Sequence, residues 1–283
     1  AGTNIGAVLA PPIVVWLTLT WNWRVAFVFT GSLGFIWLIF WLLLYRKPRE
    51  HPWMTPQELD YIESGSPDRA TVRKPRSWKL LLKYRQAWGF IIAKFMTDPI
   101  WWFYVFWLPS YLAQGRGFTL KEIGYFAWIP FLAADIGSVL GGWLSGFLIS
   151  RGWSVNAGRK TAMLICALCM PSGIAAVFAP NAIWALALIS VSTSAHQGWS
   201  ANLFTLASDM FPKSDVASVV GLGGAGGAVG GMIIAPLAGY TLQYLHSYVP
   251  LFIIAGVMHP LAIGVVQLII PRIRQTPVQP AET

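Results

Sequence analysis

Three polar residues, His196, Gln197 and Ser200, share one helical face inside an otherwise apolar run. An imidazole, an amide and a hydroxyl at membrane depth supply several donors and acceptors for a polar ligand. His196 can also titrate near neutral pH. Hydrogen bonding between helices is the plainer use of the same groups. Asn202 falls nearly opposite Ser200 on a regular helix, so one pocket cannot take both. Lys94 and Asp98 lie four apart and form either a structural ion pair or a coupling and anion-contact pair. Asp135 sits near the middle of its apolar run, where an interhelical hydrogen bond or a proton site would justify it. Ile100, Tyr104, Trp107 and Tyr111 make one stripe. Such rings can stack on the apolar face of a sugar, and they also serve core packing or an interfacial belt.

Other chemistries find little support. No Gly-x-x-x-x-Gly-Lys-Ser/Thr run occurs, so no P-loop binds a nucleotide. No His, Cys and acidic residues recur at metal-ligand spacing, and no nucleophile, base and orienting acid share one depth. Cys166 and Cys169 lie in an apolar run and read as buried inert thiols. Gly221-Leu-Gly-Gly-Ala-Gly226 resembles a dinucleotide fingerprint as text, yet no strand precedes it. Gly223, Gly227 and Gly231 instead form a small-residue stripe for close helix contact. Neither an enzyme nor a cofactor is expected.

The elements that carry these residues are apolar helices. The mean hydropathy is +0.56; 55% of residues are apolar and 11% charged, about half the soluble norm for charge. Spans are predicted near 1–19, 23–45, 88–112, 123–149, 161–178, 183–204, 218–242 and 248–270. The chain is therefore expected to be an all-α membrane protein with eight transmembrane helices. The net charge of +9 is not a nucleic-acid footprint, because ten of the twenty basic residues fall within 46–87. Counted by side, sixteen Lys and Arg lie in the loops after alternate spans and three in the opposite ones, with Lys94 inside a span. That asymmetry puts the long loop and the C-terminus in the cytoplasm. Within the loop, Thr55-Pro-Gln-Glu58 predicts a capped helix start. The stretch 77–85 reads as a basic amphipathic helix on the inner leaflet, or as a solvated linker.

Residues 2–8 parallel 223–229, an offset of 221, which suits a duplicated plan of six-helix halves. The start shows no basic n-region and reads as a helix already under way, with four helices expected ahead of it. The organisation read from this is two helices of a first bundle (1–45), an inter-bundle loop (46–87), a six-helix second bundle (88–270) and a tail (271–283).

Several stretches together resemble the major facilitator superfamily, and within it the anion:cation symporters, with bacterial hexuronate transporters nearest in look. They include Trp23-Arg-Val-Ala-Phe27, Phe95-Met-Thr-Asp-Pro-Ile-Trp-Trp-Phe-Tyr104, Ala134-Asp-Ile-Gly137 running to Gly141-Gly142, Ala195-His-Gln197 and Ser208-Asp-Met-Phe-Pro212. The resemblance implies a monomeric, cation-coupled importer (H+ or Na+) of a sugar acid in the plasma membrane, working by rocking of two bundles. It implies substrate contacts from Asn4 (with Thr3), Tyr104, Trp107, His196, Gln197 and Ser200. It also implies an inward gate around Gly142, Arg151, Arg159 and Lys160, although the usual Asp after Leu144-Ser145 is absent. A transporter of another organic anion, or a membrane sensor that does not transport, are the other readings.

Overall fold

Asn22 and Asn181 each open a long helix, because an Asn side chain in the extended cap position takes up an orphan N–H of the first turn. Asn22 Oδ1 accepts from Val25 N at 3.1 Å, and Asn181 Oδ1 from Trp184 N at 3.0 Å. The computed structural model describes residues 2–64 and 76–276, with side chains other than those of 2–4, 63 and 64. In chain order the helices are α1 (Gly2–Thr20), α2 (Trp23–Leu44), α3 (Pro56–Ser64), α4 (Trp78–Leu81), α5 (Arg85–Ser110), α6 (Leu120–Phe126) and α7 (Ile129–Ser150). After these come α8 (Val155–Cys169), α9 (Ser172–Val177), α10 (Ala182–Met210), α11 (Lys213–Leu245) and α12 (Val249–Ile269). No strand occurs among the described residues.

Two predicted spans are broken. The one expected over 123–149 divides into α6 and α7 at Ala127–Trp128, just ahead of Pro130, whose missing N–H cannot continue a helix. The one expected over 161–178 divides into α8 and α9 at Met170–Pro171 for the same reason. α5 ends in a π-turn, Tyr111–Gly115, shortly after Pro109. By length and composition, five stretches among the described residues can cross a bilayer: Trp23–Leu44, Leu120–Ser150, Val155–Val177, Lys213–Leu245 and Val249–Ile269. α1, α5 and α10 fall outside that set. α5 carries Lys94 and Asp98, and α10 carries the His, Gln, Asn and hydroxyl side chains of interest.

Packing follows the glycines. The predicted stripe on α11 faces α5: Gly223 meets Phe90, Gly227 meets the Asp98 carboxylate and Gly231 meets Trp102. A Cβ on Gly231 would sit 2.8 Å from the Trp102 ring, so only glycine allows this approach. A second seam joins α7 to α10, where Gly141 lies against the backbone of Gly198. The core between α5, α9, α10 and α12 is aromatic, with Phe103, Tyr104, Tyr111 and Phe252 in mutual ring contact. α1 packs on α6 and α7, with Val15 against Gly124, and on α2. Ala26 is the one buried residue of α2.

The stretch 77–85 corrects the amphipathic-helix reading. Only Trp78–Leu81 is helical before α5 begins at Arg85, and Leu81 is fully buried against the bundle. Arg76 anchors the segment: its Nε and backbone N bond both carboxylate oxygens of the buried Asp215 at 2.5 and 2.9 Å. The same guanidinium reaches Tyr84 and Thr276, so the loop and the tail are both tied to the start of α11. The Thr55–Glu58 capping box forms as read, with Thr55 N donating to Glu58 at 3.0 Å. Residues 65–75 of the loop and 277–283 of the tail lie outside the described residues.

Candidate functional site

Lys94 begins the polar chain. Its Nζ lies 2.8 Å from Asp98 Oδ2, one turn along α5, and 4.1 Å over the Phe204 ring of α10. Lys94 is nearly buried, while about a fifth of the Asp98 side chain remains open. A buried ammonium needs both compensations, one coulombic and one from the ring quadrupole. Seven residues on from Lys94, two helical turns along the same face, stands Trp101. Its ring lies flat on His196, centroids 5.5 Å apart and planes 10° apart.

His196 in turn meets a residue the sequence reading passed over. Its Nδ1 lies 3.1 Å from Nε2 of His259 on α12, and both rings are buried. Trp199 closes the cluster edge-on to His259 at 5.3 Å. Among the described residues, three buried polar atoms here have no hydrogen-bond partner: His259 Nδ1, Trp199 Nε1 and Asn202 Oδ1. Each costs of order 1–3 kcal/mol against a bonded state, and apolar packing would never require it. His259 sits at mid-span, so the depth argument applied to Asp135 and His196 would have found it.

The predicted contacts divide between layers. The Gln197 and Ser200 side chains are half-buried and make no hydrogen bond among the described residues. Trp107 is also half-buried and packs beside the core. Tyr104 does not face a cavity: it is fully buried, its hydroxyl 2.8 Å from Ser192 Oγ on α10. Gly173 of α9 lies close to that hydroxyl, so the Tyr104 ring is boxed in by α5, α9 and α10. His196 is also one layer back, covered by Trp101. Tyr111 is a structural partner, donating to Ala176 O and accepting from Arg116 at 2.8 Å. Arg116 caps the end of α9 through the carbonyls of Ala176, Val177 and Ala179. Asn202 faces α7, donating to Gly141 O at 2.8 Å. Asp135 is half-buried without a hydrogen bond or ion pair among the described residues. It stands two residues from Gly137, which meets Ser194 of α10, so it is turned away from that helix. The side chains of Thr3 and Asn4 lie outside the described residues.

At the ends of α7 and α8 the gate residues separate. Arg159 bonds Asp209 at 3.0 Å and Ser145 Oγ at 2.8 Å, so Asp209, at the end of α10, supplies the carboxylate that the motif lacks after Ser145. Lys160 clasps the end of α12 through Gln267, Ile270 O and Pro271 O. Arg151 is exposed over the Phe147 ring and ties no helices together. Gly142 is not the close-contact glycine either: a Cβ there would meet nothing within 4 Å, whereas its neighbour Gly141 is pressed on Gly198.

An apolar cavity of about 440 Å³ opens between α7, α8 and α10, lined by Gly137, Gly141, Cys166, Cys169, Ser194 and others. None of the predicted contact residues borders it. No group of three or more metal-ligating side chains occurs among the described residues.

A model of the Major Facilitator Superfamily matches residues 1–152 and 146–283. The chain is 36% identical over 261 residues to the hexuronate transporter of Escherichia coli K12, across 90% of this chain and 60% of that protein. It is 36% identical over 174 residues to the galacturonate transporter of Dickeya chrysanthemi, covering 60% of this chain and 50% of that one. It is 28% identical to a D-galactonate transporter of Escherichia coli O6:H1, over 86% and 58%. Among solved structures, an inward-facing, unoccupied bacterial homologue of the human lysosomal transporter Spinster superposes with a TM-score of 0.54 at 17% identity, covering 95% of this chain and 62% of that one. The chain thus spans about three-fifths of the length of its transporter relatives.

Proposed function

Since the chain belongs to the Major Facilitator Superfamily, a family of multi-pass membrane transporters and not enzymes, we propose that it serves cation-coupled uptake of a sugar acid, a hexuronate first. The 36% identity to a hexuronate transporter over nine-tenths of the chain carries this reading. A proton or sodium gradient drives the uptake, and two bundles rock about a midplane site. The long loop and C-terminus face the cytoplasm.

Two layers serve the second bundle's side of that site. Gln197, Ser200 and Trp107 offer polar and aromatic surface to the sugar, and Trp101 joins them as the half-buried partner of the His196 stack. Tyr104 and His196 act from behind, holding α5 against α10 and α12 through Ser192 and His259. Lys94 offers its charge to the carboxylate while Asp98 shares it. Asp135 is a second acid for coupling. Asn4 contributes from the first bundle. The anion's charge is compensated by the co-transported cation, because uncompensated charge at this depth is costly.

A second reading has its own support. Relatives named for galactonate, for galactarate or D-glucarate and for sulfoacetate match at 28–30% identity. An aldonate or other organic anion is therefore the competing substrate class. Labelled D-glucuronate, D-galacturonate, D-galactonate and D-glucarate, offered to proteoliposomes of the intact protein under imposed pH or sodium gradients, separate these. Uptake of glucuronate that no gradient stimulates refutes the coupling; preference for galactonate by tenfold or more replaces the hexuronate reading.

A further inference from the structure

Where α12 ends, a cavity of about 300 Å³ opens between Arg85, Gln86, Ile269, Ile270, Arg272 and Arg274. Its floor is apolar and three arginines stand around it. Arg85 is held: Nε donates to Ile269 O at 2.7 Å and an Nη to Leu268 O at 3.0 Å, capping the last turn of α12. From the other side Lys160 bonds Ile270 O and Pro271 O, adding a fourth positive charge. Arg272 and Arg274 differ. Both are exposed, and among the described residues neither makes a hydrogen bond or an ion pair. The described ion pairs engage Asp215, Asp98 and Asp209, and no acidic side chain among the described residues lines the cavity.

Such a cavity has the chemistry of a phosphate site, since guanidinium forks match phosphate oxygens and an unneutralised cluster attracts them. The depth selects the ligand. α5 begins at Arg85 and the last apolar span ends at Ile269, so the arginines lie where helices leave the hydrocarbon. Trp88, one turn into α5, is exposed there with its indole N–H on Leu82 O, as an interfacial ring would be. The isoleucine and proline floor suits a glycerol backbone and the first methylenes of an acyl chain. We propose that this cavity binds the phosphate of an anionic phospholipid and thereby pins the ends of α5 and α12 together at the membrane surface. This is independent of what the protein transports.

The test measures retention of phosphatidylglycerol and phosphatidylcholine by the intact protein, by native mass spectrometry from mixed nanodiscs. Phosphatidylglycerol is expected to be retained in preference, and Arg272→Gln with Arg274→Gln to weaken it about thirtyfold, one charge contact for each arginine. The paired control Lys79→Gln with Arg151→Gln removes the same charge from exposed positions outside the cavity. Equal weakening by the control pair overturns the proposal, because it would show only general attraction to a basic face. Displacement of the lipid by millimolar inorganic phosphate overturns it too, and assigns the cavity to free phosphate. All four positions are exposed, so misfolding does not obscure the result.

Discussion

Removing Asp98 tests whether the Lys94 pair is a structural bond. In Asp98→Ala the Lys94 ammonium keeps its burial, 6% of its side chain exposed, and loses its carboxylate. Breaking a buried pair from one side costs about 3–5 kcal/mol. The Phe204 face, 4.1 Å from Nζ, is present with and without Asp98 and so does not offset the loss. A loss of roughly 3–5 kcal/mol lowers Tm by about 6–20 °C at this chain length. Lys94→Ala should cost less, roughly 1–2 kcal/mol, because the abandoned Asp98 still reaches solvent through its open 22%. Combining Asp98→Ala with Lys94→Met removes both charges and should restore most of the loss. A thiol-reactive dye reads all three melts, since Cys166 is buried in the folded bundle. An Asp98→Ala melt within about 2 °C of the parent, or a double variant below the single, refutes the argument. A double variant that is stable yet inert in uptake assigns the pair to transport as well as to packing.

Two further outcomes follow from the same contacts. Gly142→Ala should be neutral or stabilising by up to about 1 kcal/mol, as for a glycine replaced in an open helix position, while Gly141→Ala, pressed on Gly198, should cost about 1–3 kcal/mol in the same melt. At the loop helix α3, the backbone N–H and hydroxyl of Thr55 hold the Glu58 carboxyl below its ordinary value. A depressed folded value means that the cap's contribution is complete above the ordinary carboxylate range and is lost as pH falls through the folded one. Amide exchange at Gln57 and Glu58 should therefore quicken, after correction for intrinsic rates, only in that acid range, and a rise near neutral pH that survives the correction would refute the cap.

Sequence patterning is most legible where burial in lipid leaves few options. Apolar runs of span length, Asn and Thr caps, and a glycine every fourth residue on α11 have direct physical meanings; the runs are helical, two of them broken near a proline, and the α5–α11 seam formed as expected. It is less legible where a choice between neighbours depends on which helix stands opposite. Gly141 and Gly142 are indistinguishable as text; only the approach of Gly198 separates them. The motif's missing acid was present after all as Asp209, fifty residues from Arg159, and no local pattern joins positions so far apart.

The layered site shows the same limit in a form that bears on function. A helical wheel places His196, Gln197 and Ser200 on one face, yet a face of α10 spans about 100° and meets more than one neighbour. At one edge of that face His196 turns inward, because His259 offers a nitrogen and Trp101 a flat ring to cover it. Gln197, one residue and about 100° further round, is left half-open. Tyr104 goes inward for an equivalent reason: Ser192 gives its hydroxyl a partner, and lone Gly173 makes room for it. The residues best suited to hydrogen-bond a sugar were thus the ones best able to find partners within the protein. Gln197 and Ser200, half-buried and without such partners, are with the half-buried ring of Trp101 the groups proposed above for the ligand. Loss of uptake in Gln197→Ala with an unchanged melt, set against loss of both in Tyr104→Phe, is the pattern this division of layers requires.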